Sequence, residues 1–139
     1  KTWEIPICYD KDFAIDLNEI STKCKIDLDQ VIKKHNNKTY EVDIVGFLPG
    51  FLYLGKLDDS LHLPRKKNPR THIPEGSIGI AGNQTGIYNI ESPGGWNIIG
   101  RTPFELFNIN KKDTSILSPG DTVKFKSISK KEFGSFKNE

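Results

Sequence analysis

Apolar and polar positions alternate at the start of the chain, where Trp3, Ile5, Ile7 and Tyr9 interleave with Glu4, Pro6, Cys8 and Asp10. A period of two predicts a half-buried strand, and Pro6, which cannot donate to a ladder, places it at an edge. Asp16 and Glu19 then stand three apart ahead of Ile20, and Asp27 and Gln30 repeat the arrangement ahead of Val31 and Ile32. Both pairs read as capping boxes opening short helices, because each can satisfy backbone N–H groups that a first turn leaves unpaired. In the second helix Leu28, Val31, Ile32 and His35 fall at i, i+3, i+4 and i+7, a single face that turns His35 toward the core. After a polar turn at residues 36–38, Tyr40, Val42 and Ile44 alternate with Glu41 and Asp43 and predict a strand running into Gly46.

The pattern then breaks into short pieces. Residues 46–102 hold 10 of the 12 glycines and five of the eight prolines, between apolar segments at 78–81, 87–90 and 96–99. Short strands with tight connections follow from this, since the aromatic and branched residues can still fill a core. Beyond Pro103, Phe104, Leu106 and Phe107 are expected as buried anchors ahead of a polar loop at 108–115. Pro119 and Gly120 make a turn, and Val123 and Phe125, with Ser127 and Ile128, a last strand. The sum is a mainly β chain with two short helices near the N-terminus. A closed or nearly closed β-barrel is its natural architecture, because closure removes exposed strand edges. Residues 1–128 form the single barrel domain, and 129–139 a polar C-terminal tail outside the core.

Composition narrows the function classes. At 139 residues the chain fits one domain burying roughly two-thirds of its unfolded surface. Its net charge of +2 argues against a domain-wide nucleic-acid or membrane footprint, so any charge effect is local. Cys8 and Cys24 lack both a CxxC spacing and a neighbouring histidine cluster, which points to free, partly buried thiols. With no apolar stretch of the ~18 residues a span requires and no signal-peptide pattern, the cytoplasm is the expected compartment. A start at Lys1 fits a processed chain or an excised domain.

Three segments could carry chemistry. GFLPGFLYLG sets Phe47, Pro49, Phe51 and Tyr53 among Gly46, Gly50 and Gly55, either as a rigid apolar wall with exposed backbone N–H groups or as a corner whose aromatics fill the barrel. PRKKNPR places Arg65 and Arg70 directly after Pro64 and Pro69. Stiffened guanidinium groups there would grip a carboxylate or phosphate at low entropic cost, and a solvated basic loop is the plain alternative. AGNQTGIY and SPGGWNIIGRT add Gln84, Thr85, Tyr88, Ser92, Gly94, Gly95, Trp96, Arg101 and Thr102. Here tandem glycines open the main chain beside a tryptophan that can stack on a flat ligand, anchor an interface or simply fill a core. P-loop, GxSxG, HExxH and EF-hand patterns are absent, and His35, His62 and His72 lack metal-ligand spacing. No residue is nominated as a nucleophile.

Together, GFLPGFLYLG, PRKKNPRTHIPEGSIGIAGNQTGIY and SPGGWNIIGRTP resemble the family of allophanate hydrolase subunit 1, which includes the B subunit of 5-oxoprolinase and the sporulation-kinase inhibitor KipI. The similarity runs from about Tyr9 to the PGD turn at Asp121 and takes in His35. It implies a cyclophilin-like barrel, with a further N-terminal domain in full-length relatives that this chain lacks. It also implies two 5-oxoprolinase partners, a C subunit related to allophanate hydrolase subunit 2 and an A subunit, acting together in the ATP-dependent opening of 5-oxoproline to glutamate. Kinship with the carboxyltransferase part of urea carboxylase favours a small amide or lactam as ligand. Under that resemblance Arg65, Arg70 or Arg101 would hold the ligand's carboxylate, and Gln84, Thr85 or the backbone near Gly94 and Gly95 its lactam, while ATP serves as co-substrate at a site the sequence does not locate. The competing expectation is a regulatory protein that binds a sensor histidine kinase, with the same aromatics and arginines as interface anchors.

Overall fold

The computed structural model describes residues 2–43, 51–104 and 117–136. Ile44, Gly46, Phe47, Pro49, Leu106, Phe107 and the loop expected at 108–115 lie outside the described residues. In chain order, β1 (Thr2–Ile7) leads to helices α1 (Leu17–Cys24) and α2 (Leu28–Asn36). Then come β2 (Thr39–Val42), β3 (Phe51–Gly55), a 3-10 turn (Asp59–Leu61), β4 (Arg70–Ile73), β5 (Ser77–Ala81), β6 (Gln84–Tyr88), β7 (Ser92–Gly94), β8 (Asn97–Arg101), β9 (Thr122–Ser127) and helix α3 (Lys130–Ser135).

Seven strands form one sheet in the order β1-β9-β2-β3-β6-β5-β8, curled into a half-barrel. β1 is an edge strand, as Pro6 requires, and runs parallel to β9 with Ile5 opposite Phe125. The two edges meet at a single residue pair, where the Cys8 N–H donates to the Arg101 carbonyl at 2.8 Å and the Arg101 N–H returns to Cys8 at 3.1 Å. The alternation in β1 and β2 sends Ile5, Ile7, Tyr40 and Val42 to the concave side, where Leu17 and Ile20 of α1 and Val31 of α2 close over them. Cys8 is buried and Cys24 half-buried; both thiols are free, and burial raises their pKa values.

Both helices form where expected, but neither through its capping box. Asp16 and Asp27 occupy the N-cap positions without capping through their side chains. Asp16 cannot cap because its carboxylate is committed elsewhere, as described below. Within the polar C-terminal segment the chain forms a helix with no buried residue. Ser129 and Glu132 make a complete reciprocal capping box that opens α3, and Phe133 stacks on Phe13 with ring centroids 4.4 Å apart. A sequence this polar still yields a helix because the cap satisfies the first orphan amides.

β5 and β6 are buried on both faces. Their inner side meets the main core, and their outer side carries a second cluster of Phe51, Ile73, Ala81, Tyr88, Trp96 and Ile98, flanked by the small β4-β7 ribbon. Gly79 and Gly86 face each other across this pair. A Cβ on Gly86 would sit 2.4 Å from the Phe51 ring, so the glycine is what lets that ring lie against the sheet. Gly86→Ala should therefore cost about 1–3 kcal/mol of stability through overpacking. Urea unfolding measures this, and an unchanged midpoint would show that Phe51 can move aside freely.

Candidate binding cleft

The outer cluster builds a cleft of about 300 Å³. Phe51 and Tyr88 pair across β3 and β6, which puts both rings on the outer face. The Phe51 ring lies 4.6 Å from Tyr53, 4.8 Å from Tyr88 and 4.8 Å from Trp96 between centroids, in edge-on and tilted arrangements that favour aromatic contact. Tyr53 is half-buried, and the turn from Ser92 to Gly95 forms the opposite wall. Gly94 passes so close above the Tyr88 hydroxyl that a Cβ there would fall 2.2 Å from it. That hydroxyl is buried with no acceptor for its proton among the described residues. Burial raises its pKa, partly offset by the Trp96 backbone and the Arg65 charge, so it remains a protonated donor.

Arg65 completes the cleft. Its guanidinium carbon stands 5.8 Å over the Trp96 ring centroid, and the side chain is otherwise exposed. Among the described residues it has no hydrogen-bond or ion-pair partner, and it is the only charged group lining the cleft. The loop carrying it is nevertheless fixed. The Lys66 N–H donates to the Gly95 carbonyl at 2.7 Å, and the Asn97 side-chain amide donates to the Pro64 carbonyl at 3.0 Å.

The other end of the basic loop is anchored by a residue that sequence reasoning assigned to a helix cap. Asp16 is 3% exposed. Its two carboxylate oxygens accept Arg70 Nη1 at 2.7 Å and Nη2 at 2.6 Å, and Oδ2 also accepts the Ile98 N–H at 2.7 Å. Lys66 Nζ lies 3.5 Å from Asp16 and 2.7 Å from Glu19. Burial alone would raise the Asp16 pKa; the Arg70 and Ile98 hydrogen bonds and the charges of Arg70 and Lys66 outweigh it and hold the carboxyl below its ordinary value.

Of the residues singled out in the sequence, Phe51, Tyr53, Arg65, Tyr88, Gly94, Gly95 and Trp96 converge on this cleft. The others do not. Arg70 is taken up by Asp16. Arg101 donates through Nε to the Glu75 carbonyl at 2.9 Å, and its guanidinium carbon lies 5.9 Å from the Phe13 centroid and 5.6 Å from the Phe133 centroid, beside that stacked pair. Thr102 is buried, its hydroxyl accepting the Phe104 N–H at 3.0 Å. Thr85 is in the inner core beside His35, and Gln84 donates to Asp43 at 2.5 Å in a separate, polar cleft of about 600 Å³. Phe47 and Pro49 lie outside the described residues. Ser92, singled out with the tandem glycines, also lines the cleft, as does its neighbour Pro93, which was within reach of the same motif.

With this geometry in view, the match to known proteins is specific. The model of the family "carboxyltransferase domain, subdomain C and D" matches residues 1–117. The chain belongs to this carboxyltransferase family. Relatives of this carboxyltransferase C/D chain include the 5-oxoprolinase B subunit of Bacillus subtilis, 45% identical over 136 residues that cover 98% of this chain and 57% of the relative. The 5-oxoprolinase B subunit of Haemophilus influenzae is 44% identical over 122 residues, covering 88% of this chain and 57% of the relative. Among solved structures, a conserved uncharacterized protein of Pyrococcus horikoshii superposes with a TM-score of 0.91 at 50% identity, over 96% of this chain and 62% of the other. The carboxyltransferase C/D chain thus spans a little over half the length of the curated relatives it matches. The family likeness read from its three motifs holds. Among the described residues no helix is long and apolar enough to cross a membrane.

Proposed function

We propose that this chain is the carboxyltransferase-type part of the B subunit of an ATP-dependent 5-oxoprolinase. The observation that carries the reading is the 45% identity to the Bacillus subtilis B subunit over 98% of this chain. In the proposed reaction the lactam oxygen takes the γ-phosphoryl group of ATP and water adds to the activated carbon. The ring C–N bond then breaks and phosphate leaves, giving glutamate, ADP and phosphate.

The cleft supports a shared site over a self-sufficient one. Its lining offers aromatic walls, glycine backbone, the Ser92 hydroxyl and one guanidinium. Among the described lining residues no histidine, carboxylate or lysine takes up a proton near neutral pH or activates that serine as a nucleophile. The ATP chemistry and the missing acid–base groups are accordingly assigned to the two partners, an A subunit and a C subunit related to allophanate hydrolase subunit 2. The full-length protein purified alone should form no glutamate from 5-oxoproline and ATP. Glutamate formation by the protein alone would overturn the shared-site reading.

A further inference from the structure

We infer that the aromatic cleft is a binding site for a small carboxylate carried on a flat ring or amide, with Arg65 as its anion-binding group. The chain has three arginines, and among the described residues only one is without a polar partner. Arg70 spends both ends of its fork on Asp16, and Arg101 is bound to the Glu75 carbonyl and packed beside the stacked Phe13 and Phe133 rings. Arg65 rests against the Trp96 ring 5.8 Å away and has no polar partner among the described residues, so its N–H groups remain open to a carboxylate's paired oxygens.

The surroundings select the rest of the ligand. Among the described residues no acidic side chain lines the cleft, which favours an anion over a cation. A volume of about 300 Å³ is at the small end for ligand sites, and the rings of Tyr53, Phe51 and Trp96 give flat walls suited to a flat molecule. Preorganisation favours binding as well. The bonds from Lys66 to Gly95, Asn97 to Pro64 and Arg70 to Asp16 fix the loop before any ligand arrives, so little ordering entropy is lost. The ligand class follows from the cleft; naming 5-oxoproline as its member rests on the function proposed above.

Calorimetric titration of the full-length protein, alone and assembled with its A and C partners, tests the inference with three probes: 5-oxoproline, pyrrole-2-carboxylate and the uncharged lactam 2-pyrrolidinone. Both carboxylates should bind, and 2-pyrrolidinone about tenfold more weakly or worse. Arg65→Met should weaken both carboxylates by about tenfold without changing 2-pyrrolidinone, and Arg65→Lys should restore part of the loss. Equal binding of 2-pyrrolidinone, carboxylate binding indifferent to Arg65→Met, or no binding of any probe overturns the inference. Binding of pyrrole-2-carboxylate but not 5-oxoproline upholds the site and removes the 5-oxoproline reading. Turnover of 5-oxoproline with a KM unchanged in Arg65→Met upholds that reading and removes the site.

Discussion

Asp16→Asn should lower the unfolding free energy by about 3 kcal/mol, the near end of the range for removing one member of a buried ion pair. The carboxylate is 3% exposed and receives two Arg70 N–H groups and the Ile98 N–H, so its loss strands a guanidinium and weakens a backbone bond in one step. Arg70 keeps 30% of its side chain exposed, which limits the penalty through access to water. Adding Arg70→Met to Asp16→Asn should cost less than the sum of the single changes, because the stranded charge goes with it. The pH dependence has a definite sign. The folded-state pKa of Asp16 lies below its ordinary 3.8, so its contribution is intact above 3.8 and disappears as pH falls through the folded value. Urea unfolding of wild type and variant across the acid range reads both effects. Equal stability at neutral pH would mean that the anchor contributes nothing.

His35→Ala should be costlier still, about 3–5 kcal/mol, from the cavity together with two broken hydrogen bonds. His35 is fully buried and stacks on Phe125 with centroids 5.0 Å apart. Proton accounting fixes its tautomer. The Thr85 hydroxyl donates to the Gly79 carbonyl at 2.9 Å, so it accepts from His35 Nε2–H at 2.9 Å, and Nδ1 in turn accepts the Tyr9 hydroxyl at 2.7 Å. The ring is neutral, with burial lowering its pKa to about 3. Here the unfolded chain binds the extra proton. Stability falls as pH drops below the ordinary 6.5, by about 1.4 kcal/mol per unit until the folded ring titrates. Between pH 6 and 5, above the range where the carboxylates titrate, this slope should be steeper in wild type than in His35→Ala by about that amount. A wild-type profile flat across that window would contradict the neutral, buried ring.

Much of the architecture was legible because it is written in local periodicity. The alternation at β1, β2 and β9 and the apolar face of α2 needed only neighbouring residues. Burial of His35 followed from its place on that face, but not its partners, since Tyr9 and Thr85 stand 26 and 50 residues away. The same distance problem governs the arginines. Local sequence makes Arg65 and Arg70 equivalent, each after a proline, and only the fold brings Asp16 across 54 residues to occupy one and leave the other open. Asp16 itself was misread because an aspartate ahead of a helix has a local use, capping, that the tertiary structure overrode. Helix α3, inside the polar tail, was not named from the sequence, although Ser129 and Glu132 carry the capping pattern openly.

The most direct measurement of the proposed role is 5-oxoproline-dependent ATP hydrolysis by the full-length protein mixed with its candidate A and C partners, set against the same mixture with this protein left out. Glutamate and ADP should appear in equal amounts in the complete mixture and fall to background on omission. Undiminished activity without this protein, or none in the complete mixture, would contradict its assignment to the B position of the enzyme.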